Sequence, residues 1–402
     1  MSEQQARVTF EPRGRAVFVL PGTKVLEAAA RAGLVIDTPC GGKGTCGKCR
    51  VRMTQGAPPP CGADQKAFSK EDLAAGWRLA CQASVAGECV VSVPESSRLA
   101  ARHQILAERQ KGAVGELVPG VRKVYVELTP PSLSDASGDL PRLVARVGEA
   151  KADLPVLRRL GRTLREGDWR GTAVLLDHRL IEFEPGDTRR SCYGAAFDIG
   201  TTTIVGSLMD LCTGEELALV SGMNPQVSHG DDVLSRIRRT AESDGALEEL
   251  QKQIVAGVSG MIAELCRQAG AACDRIYEIA FAGNTTMEHL LTGIDVRQLG
   301  EVPFAPVHNR GLILPAAELG LPIHPRGAAY VFPVIGGFVG GDTVAGIIAT
   351  DLADRPGPVL MIDIGTNGEI VLANDGELLA ASTAAGPAFE GARISCGMRA
   401  SE

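Results

Sequence analysis

Short runs of alternating apolar and polar residues open the chain, and longer helix-spaced apolar patterns appear further along. Val8-Thr9-Phe10 and Ala16-Val17-Phe18-Val19-Leu20 predict two strands around the turn Pro12-Arg13-Gly14. Thr23 is placed to cap a helix over Lys24 to Ala32, stopped by Gly33. Arg50-Val51-Arg52-Met53 alternates like a strand, and Glu88 to Val93 predicts another that ends at Pro94. Together these elements predict a compact β-rich module over residues 1–98. The charged helical stretch from Arg98 to Arg109 and the loop-like Gly112 to Gly120 read as a linker over 99–120. Residues 121–190 read as a small α/β domain, with strands at Lys123 to Leu128 and Thr172 to Leu176 and an arginine-rich helix around Leu157 to Arg165. From Tyr193 onward strands and helices alternate, a third folded region over 191–402. Val255 to Leu265 has the apolar spacing of a core helix. The longest apolar stretch, Ala328 to Thr350, contains Pro333, five glycines and Asp342, which suits buried strands and turns better than a membrane span.

That third region contains an echo. YGAAFDIGTTT (193–203) and VLMIDIGTNGE (359–369) each run an apolar strand into Asp-Ile-Gly-Thr. A second strand and a tight turn follow each, at Thr213-Gly214 and at Asn374-Asp375-Gly376, the latter suited to a two-residue hairpin. The repetition predicts two related lobes.

Composition narrows the partners. The chain has 402 residues, 45% of them hydrophobic, enough for several cores. A net charge of −7 argues against nucleic acid as a partner. Of 11 cysteines, six lie between Cys40 and Cys89. The others (Cys192, Cys212, Cys266, Cys273, Cys396) are scattered in apolar surroundings. An odd number in a long chain, with no basic start and apolar run at MSEQQARVTF, points to the reducing cytoplasm rather than a disulfide framework.

The first cysteines stand in CGGKGTCGKC, residues 40–49. From Gly42 this is a phosphate-binding loop pattern failing at its last letter, because Cys49 stands where a hydroxyl should hold Mg²⁺ and a strand follows instead of a helix. From Cys40 it is Cys40-x5-Cys46-x2-Cys49, completed by Cys81. A 2Fe–2S cluster suits one triplet and a distant singlet. Zinc, the rival for four thiolates, usually takes two separate Cys-x2–4-Cys knuckles. Gly41, Gly42, Gly44 and Gly47 let a tight loop wrap a cluster and turn N–H groups to its sulfurs. Cys61 and Cys89 fall outside the pattern and read as a loop thiol and a strand core residue.

In the echoed motif a carboxylate at a strand end can hold Mg²⁺ through water, and Gly-Thr amides and hydroxyls can cradle phosphate. Structural turns are the alternative. Asp198 with Gly200, Thr201, Thr202 and Thr203, and Asp363 with Gly365, Thr366 and Asn367, are the candidate nucleotide residues. Three further stretches stay open. Thr285-Thr286 could bind phosphate or cap a helix. Asp232 could hold metal or orient water catalytically, or cap a helix. Gly341, in Gly340-Gly341-Asp342, could approach nucleotide or pack a strand against a helix. His229, His289, His308 and His324 form no ligand spacing.

The cysteine pattern, with its preceding hairpin and helix, resembles the β-grasp-like 2Fe–2S ferredoxins over about residues 5 to 95. The paired Asp-Ile-Gly-Thr loops resemble the superfamily of actin, heat-shock chaperones and sugar kinases, in which two ribonuclease-H-like lobes close on ATP. The two together resemble the reductive activators of corrinoid proteins, as do NPQVSHGDDVLSRI (224–237), AGNTTMEHLL (282–291), GGFVGGDTVAG (336–346) and GPAFEGARISCGM (386–398). This resemblance implies a multidomain α/β protein with a 2Fe–2S cluster and ATP with Mg²⁺ as cofactors. It implies ATP-dependent, one-electron reduction of Co(II) to Co(I) in a corrinoid protein or corrinoid-dependent methyltransferase. An upstream low-potential electron donor is then needed, no membrane or nucleic acid is involved, and a homodimer is one open arrangement. In that superfamily the second lobe continues well past its phosphate loop, so the chain's end at Glu402 predicts an incomplete, C-terminally truncated ATPase domain. The competing readings are a simple electron carrier whose ATPase domain is a degenerate docking scaffold, a small-molecule kinase with a redox-sensing domain, and an activator of a radical dehydratase.

Overall fold

The computed structural model describes residues 5–94 except 13, 33, 35, 37, 39 and 41, residue 97, residues 117–364 except 231, and residues 368–383. Most of the expected linker therefore lies outside the described residues. So do Gly365, Thr366, Asn367 and the stretch 386–398.

The N-terminal unit contains β1 (Ala6–Glu11), β2 (Arg15–Val19), α1 (Val25–Arg31), β3 (Arg50–Gln55), α2 (Gly62–Ala67), α3 (Lys70–Ala74), β4 (Trp77–Leu79) and β5 (Cys89–Ser92). The sheet order is β2-β1-β5-β3-β4, with β1 and β5 parallel. Val25, Leu26, Ala28 and Ala29 of α1 pack into the core with Val8, Phe10, Val51 and Val91, a β-grasp arrangement. Thr23 is not the helix cap. The backbone there is bound to Val85, so the cap falls one residue later, on Lys24, and the helix starts at Val25. The Lys24 amine instead donates to the Gln82 carbonyl (2.7 Å) and to Ser84 Oγ (3.1 Å).

The second unit contains β6 (Val121–Glu127), α4 (Asp139–Val147), β7 (Lys151–Ala152), α5 (Leu154–Glu166), β8 (Arg170–Leu176) and β9 (Arg179–Pro185), with sheet order β6-β8-β9-β7. Leu143 and Val147 of α4 and Val156, Leu160 and Leu164 of α5 bury against one sheet face. The sequence reading lacked α4. Pro141 stands in its first turn, where the missing N–H has no intrahelical partner to lose.

The third unit carries β10 (Tyr193–Ile199), β11 (Thr203–Asp210), β12 (Glu216–Met223), α6 (Val233–Glu242), α7 (Ala246–Ala269), β13 (Ile276–Gly283), α8 (Thr285–Thr292), β14 (Leu312–Pro315), β15 (Ala328–Val331) and α9 (Gly341–Ala349). Its sheet runs β12-β11-β10-β13-β15-β14, with β10, β13 and β15 parallel. Leu250, Ile254, Val258, Ile262 and Leu265 form one stripe of α7, all fully buried in the core under this sheet. Each such side chain contributes about 1.5–3 kcal/mol by leaving water. The apolar run expected as strands and turns ends as the helix α9.

The echo is structural. After α9 come β16 (Val359–Ile364), β17 (Gly368–Asn374) and β18 (Glu377–Thr383), an antiparallel meander like β10-β11-β12. Asp198 pairs with Val205, and Asp363 with Glu369, at matching hairpin mouths. At the β17–β18 turn Asp375 and Gly376 both have positive φ (47° and 83°), as a two-residue hairpin of this type requires.

A buried ionic knot joins the second and third units. Lys123 Nζ lies 2.8 Å from Glu184 Oε2, and both side chains are almost wholly buried. Tyr277 donates to Glu184 Oε1 (2.6 Å), Arg275 also pairs with Glu184, and Lys123 donates to the Ser191 carbonyl (2.9 Å). Replacing Glu184 by Ala would strand two cations. We expect a loss of about 3–5 kcal/mol in denaturant unfolding monitored by tryptophan fluorescence, with a smaller loss for Glu184→Gln.

Candidate functional site

Two sites emerge. In the first, the β-grasp sheet brings four thiols together as two pairs. Cys46 Sγ donates to Cys40 Sγ at 3.3 Å, and Cys49 Sγ to Cys81 Sγ at 3.3 Å. Cys49 and Cys81 are buried, whereas Cys40 and Cys46 are half-buried. Among the described residues no three ligand side chains close on a single point. Two separated thiol pairs fit two irons better than one tetrahedral zinc ion.

The loop geometry follows from its glycines. Gly42, Gly44 and Gly47 have φ of +82°, +72° and +68°, and a Cβ on Gly44 would meet Gln82 Cγ at 3.0 Å. Gln82 Nε2 donates to the Gly42 carbonyl (2.6 Å). Asp64, itself buried, accepts from the Cys61 N–H (2.9 Å) and the Leu79 N–H (2.8 Å), which fixes the approach to Cys81. One thiol in each pair is eased toward ionisation. Burial opposes this at Cys40, but hydrogen bonds from Cys46 and Thr45 outweigh it and lower the thiol to about 7. The hydrogen bond from Cys49 lowers Cys81 to about 6, against its own burial. Cys49 is pushed up in return.

The second site is a cleft at the mouths of the two echoed hairpins. Asp198 stands at the end of β10, exposed on the cleft floor yet walled in by protein. That crowding, with the charges of Asp342 and Asp363, raises it to about 7. Burial and the Asp342 charge raise Glu288 to about 9, and burial with Asp342 and Asp363 raises Glu369 to about 7. Asp342 is raised too, by burial and by Asp363. Carboxylates from β10, α8, α9, β16 and β17 thus repel one another around Asp342. A divalent cation would relieve that repulsion, and Mg²⁺ held through its waters needs no three carboxylates on one point.

The Gly200–Thr203 loop is held from behind. Asn224, fully buried, donates from Nδ2 to the Gly200 carbonyl (2.8 Å) and from its backbone N–H to the Thr202 carbonyl (2.8 Å). Fully buried Arg236 donates to the Thr201 carbonyl and to Gln226 Oε1 (3.2 Å). Asn284 Nδ2 donates to Thr201 Oγ1 (2.8 Å). A Cβ on Gly200 would lie 2.5 Å from the Thr203 carbonyl oxygen, so only glycine fits.

Other expected residues find different work. Asp232 caps α6, accepting from the Ser235 N–H (2.7 Å) and Ser235 Oγ (3.1 Å). Asn284 caps α8, and Thr285 Oγ1 donates to the Gly336 carbonyl (2.6 Å). A Cβ on Gly341 would lie 2.1 Å from Glu288 Oε1, so this glycine leaves room for that acid. Sequence reasoning missed Asp342, Glu288 and Glu369 as site residues. The only signal was the Gly-Gly-Asp turn, read for its glycine. An apolar cavity of about 570 Å³ between the second unit and the uncovered face of the third unit's sheet, lined by Gly194, Ala196 and Ala280, lies away from both sites.

Comparison with known families matches this arrangement in order. Residues 8–86 match the 2Fe-2S iron-sulfur cluster binding domain, 110–190 the RACo linker region, 193–355 the RACo middle region, and 357–402 the C-terminal domain of RACo, the ASKHA domain. The chain belongs to the RACo family. It is 32% identical over 397 residues to the corrinoid activation enzyme RamQ of Eubacterium limosum, covering 98% of this chain and 63% of that protein. Its fold matches a solved reductive activator for corrinoid, iron-sulfur protein (TM-score 0.67, 35% identity), covering 99% of this chain and 66% of the other. The chain thus spans just under two thirds of the length of these two RACo relatives. A [Co(II) methylated amine-specific corrinoid protein] reductase of Methanosarcina barkeri is 30% identical over 218 residues, 52% of this chain and 39% of that protein. The RACo chain thus combines a 2Fe–2S domain with an ASKHA domain, and no helix among the described residues is long and apolar enough to cross a membrane.

The cleft acids dictate a pH response. Asp198, Glu369 and Glu288 have folded pKa values above their ordinary ones. Their contribution to stability is full at low pH and is lost as pH rises through about 7 to 9. Metal-free protein should lose melting temperature from these acids between about pH 4 and 9 in scanning calorimetry, most steeply below about pH 7. Mg²⁺ should restore part of the loss, and Asp342→Asn should flatten the slope.

Proposed function

We propose that this chain acts as an ATP-dependent reductive activator of a corrinoid protein, converting inactive Co(II) to Co(I) by one electron. The observation that carries this reading is the presence, on one chain, of two thiol pairs in a β-grasp loop and a carboxylate-lined cleft behind a phosphate-type loop. The names of the relatives support the choice of corrinoid partner. Cys40 and Cys46 would hold one iron, and Cys49 and Cys81 the other. When bound, the cluster supplies single electrons at low potential. The half-buried Cys40–Cys46 pair lies nearest solvent, the natural side for electrons to enter and leave. Gln82 and the glycine amides supply hydrogen-bond donors around the thiolates.

In the cleft, Asp198, Asp342 and Asp363 would orient hydrated Mg²⁺, and Gly200 to Thr203 would present amides and hydroxyls to phosphate. Gly365, Thr366 and Asn367, the matching residues of the second Asp-Ile-Gly-Thr motif in the sequence, would do the same. Nucleotide turnover would bias the partner complex toward a cobalt environment in which Co(I) is less disfavoured, because a ligand shifts an equilibrium only by its differential affinity for the two states. A cytoplasmic site, a low-potential electron donor upstream and a homodimer are compatible with this role.

The test mixes reduced, cluster-loaded protein with a Co(II) corrinoid protein under anaerobic conditions and follows Co(I) absorbance with and without Mg–ATP. We expect ATP-dependent Co(I) formation, abolished by Cys81→Ser along with the cluster spectrum. Asp198→Asn should lower the ATP-dependent rate by about tenfold or more while leaving the cluster spectrum intact. Equal reduction without ATP would replace this reading with a plain electron carrier.

A further inference from the structure

The back of the phosphate-type loop and the cluster domain are joined by one short turn. Asn224 not only binds the Gly200 and Thr202 carbonyls; its Oδ1 accepts from the Gln226 N–H (3.0 Å) and starts a 3-10 turn, Pro225–His229. That turn is fastened to the lobe. Gln226 Nε2 donates to the Leu250 carbonyl (2.8 Å), and His229 Nε2 lies 2.9 Å from Gln253 Nε2. Its outer side lies against α1 of the β-grasp domain.

Helix α1 is in turn clamped to the cluster segment. The Leu26 N–H donates to the Ala80 carbonyl (2.9 Å) and the Val25 N–H to the Ala83 carbonyl (2.9 Å). Between the two domains lies a cavity of about 720 Å³, lined by Ala30, Gly42 and Cys81 on one side and by Pro225, Ser228 and His229 on the other. Among the described residues no hydrogen bond or ion pair joins α1 to the Pro225–His229 turn. The contact differs in kind from the buried ionic knot that fixes the second unit to the third. It is small, unbonded and backed by open space, so little free energy is needed to change it.

We propose that the Asn224–His229 turn is a strut that transmits occupancy of the phosphate-type loop to the docking of the cluster domain, with Asn224 as its positioning residue. The proposal rests on the nucleotide reading above and adds the route of coupling. With Asn224 and Arg236 taking the Gly200, Thr201 and Thr202 carbonyls from behind, the loop's amides are free for the cleft side. An anion fixed in front of the loop removes freedom from Asn224, and thereby from the turn against which α1 rests. Tightened docking follows without contact between nucleotide and cluster domain.

Amide hydrogen exchange of the cluster-loaded protein, with and without Mg–ATP, tests this. Nucleotide should slow exchange at residues 25–31 by about threefold or more. Asn224→Asp keeps the oxygen that caps the turn but removes the donor to Gly200. It should weaken Mg–ATP binding by about tenfold and abolish the slowing even at saturating nucleotide. Ala30→Glu, an exposed position facing the cavity, should abolish the slowing while leaving nucleotide affinity and the cluster spectrum unchanged. Mg–ATP binding, measured separately by equilibrium dialysis, with no change at residues 25–31 overturns the inference alone. So does slowing that persists in Asn224→Asp. Absence of binding overturns the nucleotide reading and the inference with it.

Discussion

Three successive backbone carbonyls, of Gly200, Thr201 and Thr202, are claimed from behind by two fully buried polar side chains and one backbone amide. A guanidinium with no exposure to water must be surrounded by acceptors, and Arg236 finds them in the loop, in Gln226 and in the Gly230 carbonyl. Satisfying that burial fixes the shape of the loop, the start of the Pro225–His229 turn and the relation of β10 to α6. The cleft loop, and the turn against which α1 of the cluster domain rests, are arranged around this core of satisfied polar groups.

The two sites store different kinds of tension. In the cluster loop, left-handed glycines and the Asp64 carboxylate hold thiols close enough to share protons, an arrangement that two irons would replace with bonds. In the cleft, acids from five elements are held near one another, and Asp198, Glu288, Asp342 and Glu369 carry their protons to higher pH than usual. Both are sites whose side chains are better satisfied with a cation present than without one, which is the electrostatic mark of a binding site rather than of a structural core.

The joints between units differ in the same physical terms. Lys123, Glu184, Arg275 and Tyr277 form a buried, mutually satisfied set whose disruption strands charge. Among the described residues, helix α1 and the Pro225–His229 turn meet without a hydrogen bond or ion pair, beside open space. In the proposed role, a domain that must both take up and give away electrons is served by the second kind of joint. A platform that must keep its lobe in register is served by the first.

Much was legible in the chain alone. Periodicity placed β1, β2, β3, β5, α5 and α7, because each buries one face and its apolar spacing records that face. The four cysteines and their glycines, and the repeated Asp-Ile-Gly-Thr, were visible because local chemistry demands those residue types at short spacing. The start of α1 was misplaced, since a long-range pairing with residues 84–85 overrode the local capping signal of Thr23. Helix α4 was missed because a proline in its first turn reads as a break. Asp232 carried the right residue type, but its carboxylate is taken up by Ser235. What no linear pattern could supply was convergence. Asp198, Glu288, Asp342, Asp363 and Glu369 come from five elements, and Asn224 and Arg236 act on a loop more than twenty residues away in sequence. Spacing along a chain encodes the contacts a single element makes. Mutual repulsion among acids and the satisfaction of a buried guanidinium exist only once separate elements have been packed together.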